Sequence, residues 1–183
     1  MGKRSSFERE PRDYYRTVDP RAVPPLLRFL KPGTKYLELF AGRGDLIKQL
    51  SSAGMVCELA TDIEPQARGI MRADAFKLKP KGKLIISNPP WTREILHKII
   101  EHFVQENDLW LLFDAAWPQT KQSVEILDRY CTDIAAVGRL KWFEKGDHRE
   151  KGHDPMDDCS WYRFSRNKTG ATRFWGRIEC PRM

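Results

Sequence analysis

The segment Asn88-Pro89-Pro90-Trp91 places two hydrogen-bond acceptors and a flat aromatic face within four consecutive residues. Two successive prolines cannot continue a hydrogen-bonded ladder, so a strand that runs into them stops and is left with a stiff end. Such an end holds the Asn88 side-chain oxygen and the Pro89 carbonyl in fixed directions. Both oxygens accept, an –NH2 group offers donors to match them, and Trp91 presents a surface against which a planar amide or base stacks. The chemistry this pattern serves is the reception of an amino group. The structural alternative is a Pro-Pro turn capped by Asn and covered by Trp.

A second cluster is Glu38-Leu39-Phe40-Ala41-Gly42-Arg43-Gly44. Glycines after a strand let a ligand lie against bare backbone, and the helix start that follows offers unpaired N–H groups. No Gly-Lys-Ser/Thr occurs, which excludes a P-loop, and the third glycine of the dinucleotide fingerprint is missing. Asp62 follows Gly42 by twenty residues and ends the next strand, where a carboxylate can accept both hydroxyls of a ribose. Asp74 ends a third segment and is placed to meet an adenine amino group. Taken singly, each of these acids is equally well a loop cap. Their recurrence at successive strand ends favours a nucleoside site at the carboxyl edge of an open α/β sheet.

The elements that must position these residues alternate along the chain. Ala22 to Leu30 reads as a short helix stopped by Pro32-Gly33, and Lys35 to Phe40 as a strand. Next comes a helix with Leu46, Ile47 and Leu50 at helical spacing and Asp45 as its cap. Val56 to Thr61 is the second strand, and Leu84 to Ser87 is an uninterrupted apolar strand of the buried parallel type. Thr92 caps a helix with Ile95, Leu96, Ile99, Ile100 and Phe103 on one face, leaving His97 and His102 as solvated residues on the other. Leu109 to Phe113 is a strand, Gln122 to Arg129 a helix and Ile134 to Phe143 a long strand. Ser160 to Phe164 pairs with that strand as an antiparallel edge, so 144–159 is the connecting loop. The pattern predicts a seven-stranded, mostly parallel sheet covered by helices.

The order of glycine turn, Asp62, Asp74 and Asn-Pro-Pro-Trp resembles that of class I S-adenosylmethionine-dependent methyltransferases, in particular the amino-methyltransferases with an (Asn/Asp)-Pro-Pro-(Tyr/Phe/Trp) motif. Within these the chain looks most like the small phage-type DNA adenine-N6 methyltransferases. Tyr14-Tyr15-Arg16-Thr17 is similar to the family's aromatic-x-Thr element, which lies near the methionine end of the cofactor. The motif order spans about residues 13 to 143 and, more loosely, Trp161 to Phe164. The resemblance implies one Rossmann-like α/β domain over residues 13–183, with a late antiparallel strand and helices on both faces. It implies S-adenosylmethionine as cofactor, held by Tyr15, Thr17, Glu38, Phe40, Ala41, Gly42, Gly44, Asp62, Ile63, Asp74, Ala75 and Asn88. It also implies a catalytic corner of Asn88, Pro89, Pro90 and Trp91, and DNA as partner. Arg43 between the glycines departs from the pattern, and no stretch is long enough for a large target-recognition domain. Recognition therefore falls to 144–159 and the tail. Methylation of RNA adenine, methylation of a protein glutamine amide, and a non-catalytic nucleic-acid-binding module remain as rival readings.

Composition narrows the field. The 183 residues fit a single domain with its own core. No apolar run is long enough to span a bilayer and the first residues lack a signal-peptide stretch, so a cytoplasmic protein without membrane contact is expected. Cys57, Cys131, Cys159 and Cys180 lie far apart and read as reduced thiols. Asp147, His148, His153, Asp154, Asp157, Asp158 and Cys159 match no metal signature and read as a solvated loop, so no metal is expected. The net charge is +7, and the excess sits in the flanks. Residues 1–12 are expected to be a mobile basic terminus, and 165–183 a basic aromatic tail. Residues 160–183 carry six bases and one acid beside Trp161, Tyr162, Phe164, Phe174 and Trp175, which suits equally a polyanion whose bases stack and a basic, solubilising surface beside ordinary core aromatics.

Overall fold

The computed structural model describes residues 15–142 and 158–178. The expectations for residues 1–12, Tyr14, most of the 144–159 loop with its acidic and histidine cluster, Cys180 and the end of the tail lie outside the described residues.

In chain order the elements are α1 (Pro24–Leu27), β1 (Lys35–Glu38), α2 (Asp45–Ser52), β2 (Val56–Asp62), β3 (Met71–Arg72), β4 (Leu84–Ser87), α3 (Arg93–Phe103), β5 (Asp108–Asp114), α4 (Val124–Tyr130), β6 (Cys131–Arg139), β7 (Asp158–Phe164) and β8 (Arg173–Trp175). Among the described residues the strands form one eight-stranded sheet in the order β3-β2-β1-β4-β5-β7-β6-β8. Pairing is parallel from β3 to β5, antiparallel on both sides of β7, and parallel between β6 and β8. This is an α/β, Rossmann-like sheet with helices on both faces.

Strand alternation builds the two layers. Leu109, Leu111 and Phe113 of β5, with Leu37, Ile85, Tyr162 and Phe164, meet Leu96, Ile99, Ile100 and Phe103 of α3 on one face. Trp110 and Leu112, with Tyr36, Ile86 and Trp161, meet Leu26, Leu46 and Leu50 on the other. β5 is buried on both faces, as a continuous Leu-Trp-Leu-Leu-Phe run requires. The ring of Phe29 packs on Trp110 at 4.7 Å, and the Trp161 indole donates to the Ala22 carbonyl at 2.7 Å, fastening the N-terminal helical segment to the sheet.

Several expectations are corrected. The helix expected over residues 22–30 is a 3-10 turn, Pro20–Ala22, followed by a four-residue α1, because Pro24 and Pro25 lack the N–H groups a continuous helix would use. Ser160 to Phe164 is not an edge. β7 sits between β5 and β6, and Asp158 and Cys159 belong to it rather than to the loop. Trp161, Tyr162 and Phe164 are therefore core residues, fully buried, and unavailable to a polyanion. β6 begins at Cys131 rather than Ile134 and ends at Arg139.

The tail contributes the eighth strand, β8. Buried Asp133 of β6 accepts from Arg173 Nε and from the Trp175 indole, each at 2.9 Å, and these bonds staple β8 to the sheet. Its carboxyl is held below the ordinary range by those donors, which overcome the opposing effect of burial. His97 is half-buried rather than solvated, and its Nε2 accepts from the Trp117 indole at 3.0 Å. Among the described residues no helix is long and apolar enough to cross a membrane.

Candidate active site

A cleft of about 920 Å³ opens at the carboxyl ends of β1, β2 and β4. Its floor is the glycine turn. Gly42 and Gly44 both adopt positive φ, at 52° and 78°, which a residue with a Cβ rarely reaches. Gly44 is the N-cap of α2 through its backbone alone. Asp45, expected as the cap, is instead the first helical residue, and its carboxylate is gripped by Arg16 through Nε at 2.8 Å and Nη2 at 3.0 Å.

Asp62 ties this turn to the end of β2. Oδ2 accepts from Gly42 N and Oδ1 from Glu64 N, each at 2.8 Å. Two backbone donors orient the carboxylate, and each oxygen keeps a second lone pair for a ligand hydroxyl. Asp74 caps the 3-10 turn Ala75–Lys77, with Oδ1 accepting from Phe76 N at 3.0 Å. Between the two acids stand apolar side chains left unusually open. Ile63 is 63 % exposed, Ile95 41 % and Phe76 39 %, and all three line the cleft. Burying such surface is favourable, so these positions suit a flat apolar group.

At the β4 end, Asn88 is held by three side-chain bonds. Its Nδ2 donates to the Tyr15 carbonyl at 3.2 Å and to Thr17 Oγ1 at 3.1 Å, and its Oδ1 accepts from the Trp91 indole at 2.9 Å. A main-chain carbonyl only accepts and an indole N–H only donates, so the amide has a single admissible orientation. Gln49 Nε2 donates to the Thr17 carbonyl at 2.6 Å, and Lys141 N to Asp19 Oδ2 at 3.0 Å, so the segment 15–19 is strapped across the site at both ends.

Glu38 is the buried acid of the site. Ser87 Oγ and Phe40 N both donate to its Oε1, the latter at 3.2 Å. Burial pushes its carboxyl up to about 8, the nearby Asp62 charge adds to the rise, and the two donors oppose it.

The structure gathers Tyr15, Thr17, Glu38, Phe40, Ala41, Gly42, Asp62, Ile63, Asp74, Ala75, Asn88 and Pro90 around one cleft. It does not bring Gly44, Pro89 or Trp91 to the lining. Pro89 is buried, and Trp91 lies behind Asn88, its indole also within 3.2 Å of the Leu112 carbonyl and its ring edge-on to Trp142 at 5.1 Å. Sequence reasoning missed Arg16, Arg72, Phe76, Thr92 and Lys98, which also line the cleft. Thr92 was read only as a cap, yet its side chain makes no capping bond. Ile95 was assigned to the core stripe of α3, and its place at the border of that stripe was the available signal.

No protein-family model matches the chain, and no curated protein does. Solved structures do resemble it. A candidate class I S-adenosylmethionine-dependent methyltransferase from Listeria monocytogenes superposes with a TM-score of 0.58 at 11 % identity, over 88 % of this chain and 65 % of that one. A dimethyladenosine transferase from Plasmodium falciparum gives 0.52 at 15 %, over 82 % and 63 %. A 23S rRNA methyltransferase gives 0.51 at 14 %, over 80 % and 67 %. The chain thus spans just under two thirds of the first two. At these identities the likeness establishes a shared fold.

Proposed function

We propose that this chain transfers the methyl group of S-adenosylmethionine to the exocyclic N6 amine of adenine in DNA. The observation that carries the reading is that an asparagine amide with one admissible orientation and a glycine turn tied to Asp62 line the same cleft.

The residues present fit the cofactor. Asp62 retains lone pairs for the ribose hydroxyls, Ile63 and Phe76 flank room for the adenine, Asp74 faces the adenine amine, and Tyr15, Thr17 and Glu38 line the remainder. When bound, S-adenosylmethionine supplies an electrophilic methyl on a sulfonium. The chain's own task is to deliver the amine. Asn88 Oδ1 has spent one lone pair on Trp91 and offers the other to an N–H of the incoming amine; Pro89, buried and outside the lining, serves to stiffen the corner. Such a bond favours a more tetrahedral nitrogen whose lone pair points at the methyl, so the gain is positioning and electrostatics rather than strong-base catalysis. For duplex DNA the adenine must leave the stack, at a cost of a few kcal/mol. Trp91 contributes by fixing Asn88 from behind rather than by the stacking expected from sequence, since it does not line the cleft.

RNA adenine is a second reading, favoured by the names of two of the structural neighbours, a dimethyladenosine transferase and a 23S rRNA methyltransferase. The deciding experiment incubates the protein with labelled S-adenosylmethionine and duplex DNA, single-stranded DNA, RNA and protein in parallel, and identifies the modified atom by mass spectrometry. N6-methyladenine in DNA is the expected product. Label confined to RNA or to a glutamine amide would replace the reading.

A further inference from the structure

A second groove, of about 440 Å³, lies on the face of the sheet that carries α3 and α4 and reaches the carboxyl edge of β5. Its upper end lies just past β5. The Trp91 indole reaches the Leu112 carbonyl of β5, and three residues further on Ala115 lines the groove. From there the groove runs down β6, past Ile134, Ala136 and Gly138, to Phe174 and Arg177.

Two features make it more than an apolar dent. Phe174 is 70 % exposed, the most open large hydrophobic side chain among the described residues, and lies beside Ile134 in the β6–β8 register. Arg177 lies against the bare backbone of Gly138. A Cβ built there would stand 2.9 Å from its Cζ, and Gly138 has a φ of 95° that side-chain-bearing residues rarely adopt. The guanidinium therefore occupies the space that any other residue would fill. Among the described residues it has no ion-pair or hydrogen-bond partner. Its N–H fork is thus unspent, in a planar form suited to phosphate. Gln119 and Asp158, which also line the groove, add an amide and a carboxylate able to pair with a base edge.

We infer that this groove is a nucleotide subsite, in which Phe174 stacks on a base a few nucleotides from the target adenine and Arg177 grips a phosphate of the same strand. The inference rests on the nucleic-acid reading of the cleft and deepens it, giving short recognition elements a location. An aromatic face beside a free guanidinium is the pairing used by proteins that hold single-stranded or splayed nucleotides. Asp158 pairs with Arg139, next to the Gly138 on which Arg177 lies, so the carboxylate borders the phosphate end of the groove and confines the phosphate to the guanidinium, while Phe174 stands further down beside Ile134.

The test is fluorescence anisotropy with short fluorescein-labelled DNA and RNA oligonucleotides containing one adenine, over a salt series, on the wild type and the variants Phe174→Ala, Arg177→Ala and Arg177→Lys. Cofactor affinity by calorimetry serves as control. Both side chains are exposed and outside the core, so the fold tolerates their loss. Phe174→Ala is expected to weaken binding about tenfold with an unchanged salt slope. Arg177→Ala should lower the slope of log K against log salt by about one, and Arg177→Lys should keep that slope while losing affinity. Cofactor affinity stays at the wild-type value throughout. Variants that bind the oligonucleotides as the wild type does, with equal slopes, overturn the subsite while leaving the cleft's function intact. A wild type that binds neither DNA nor RNA overturns both.

Discussion

The Trp91 indole donates to Asn88 Oδ1 at 2.9 Å and, with the Tyr15 carbonyl on Nδ2, fixes the orientation of the amide. Trp91→Phe keeps the ring volume and removes the donor. With the amide freer to turn, turnover should fall about tenfold, the cost of roughly one lost hydrogen bond, while cofactor affinity is unchanged. Steady-state kinetics with labelled cofactor measure this. A wild-type turnover number would mean that Asn88 needs no such guide.

Asn88→Ala removes the acceptor itself. Methyl transfer should drop by about a hundredfold or more, as for other preorganised polar groups aimed at a reacting centre, with cofactor binding nearly intact. Single-turnover assays alongside calorimetry separate the two quantities, and full activity would remove Asn88 from the mechanism.

Asp62→Ala should act the other way round. It takes away the ribose acceptor and also leaves the amides of Gly42 and Glu64 without their carboxylate, so cofactor affinity should weaken by about ten- to a hundredfold. Calorimetric titration reads this directly, and an unchanged affinity counts against the ribose role.

Glu38 gives a pH prediction. Its carboxyl is pushed up to about 8 in the folded chain, above its ordinary range, so between those limits the native state binds more protons than the unfolded one. Its contribution to stability is therefore complete only below the ordinary carboxylate value and is lost progressively as pH rises to about 8. Thermal melts from pH 5 to 9 should show a decline that Glu38→Gln flattens. Parallel curves for the two proteins would contradict the assignment.

Asp133→Ala should lower stability by about 3 kcal/mol, because it strips a buried carboxylate from two donors and frees β8. Urea denaturation measures the loss, which Asp133→Asn should reduce in part.

The parallel half of the fold was legible because its strands and helices carry clean periodicities. Leu84 to Ser87 appears where the apolar run predicts it, and α3 starts where the Pro-Pro corner ends. The late strands were not. Strand order is decided by long-range pairing, and nothing local in Ser160–Phe164 tells an edge from an interior position except its near-continuous apolar character. Basic residues among aromatics suit a nucleic-acid surface and ordinary core aromatics equally, and only the strand pairing, which alternates Trp161, Tyr162 and Phe164 into the two core layers, decides for the core. At the site, the acids and glycines were visible by spacing. The Arg16–Asp45 pair was not, because it joins residues far apart in sequence.

The insertion of β7 between β5 and β6 has a consequence for how the chain acquires its shape. Until residues 158–164 emerge from the ribosome, β5 offers an unpaired border, apolar from Leu109 to Phe113 and flanked only by β4, the kind of exposed edge on which nascent chains coalesce. The centre of the sheet must therefore close late, by a pairing between residues about fifty positions apart, which favours slow maturation.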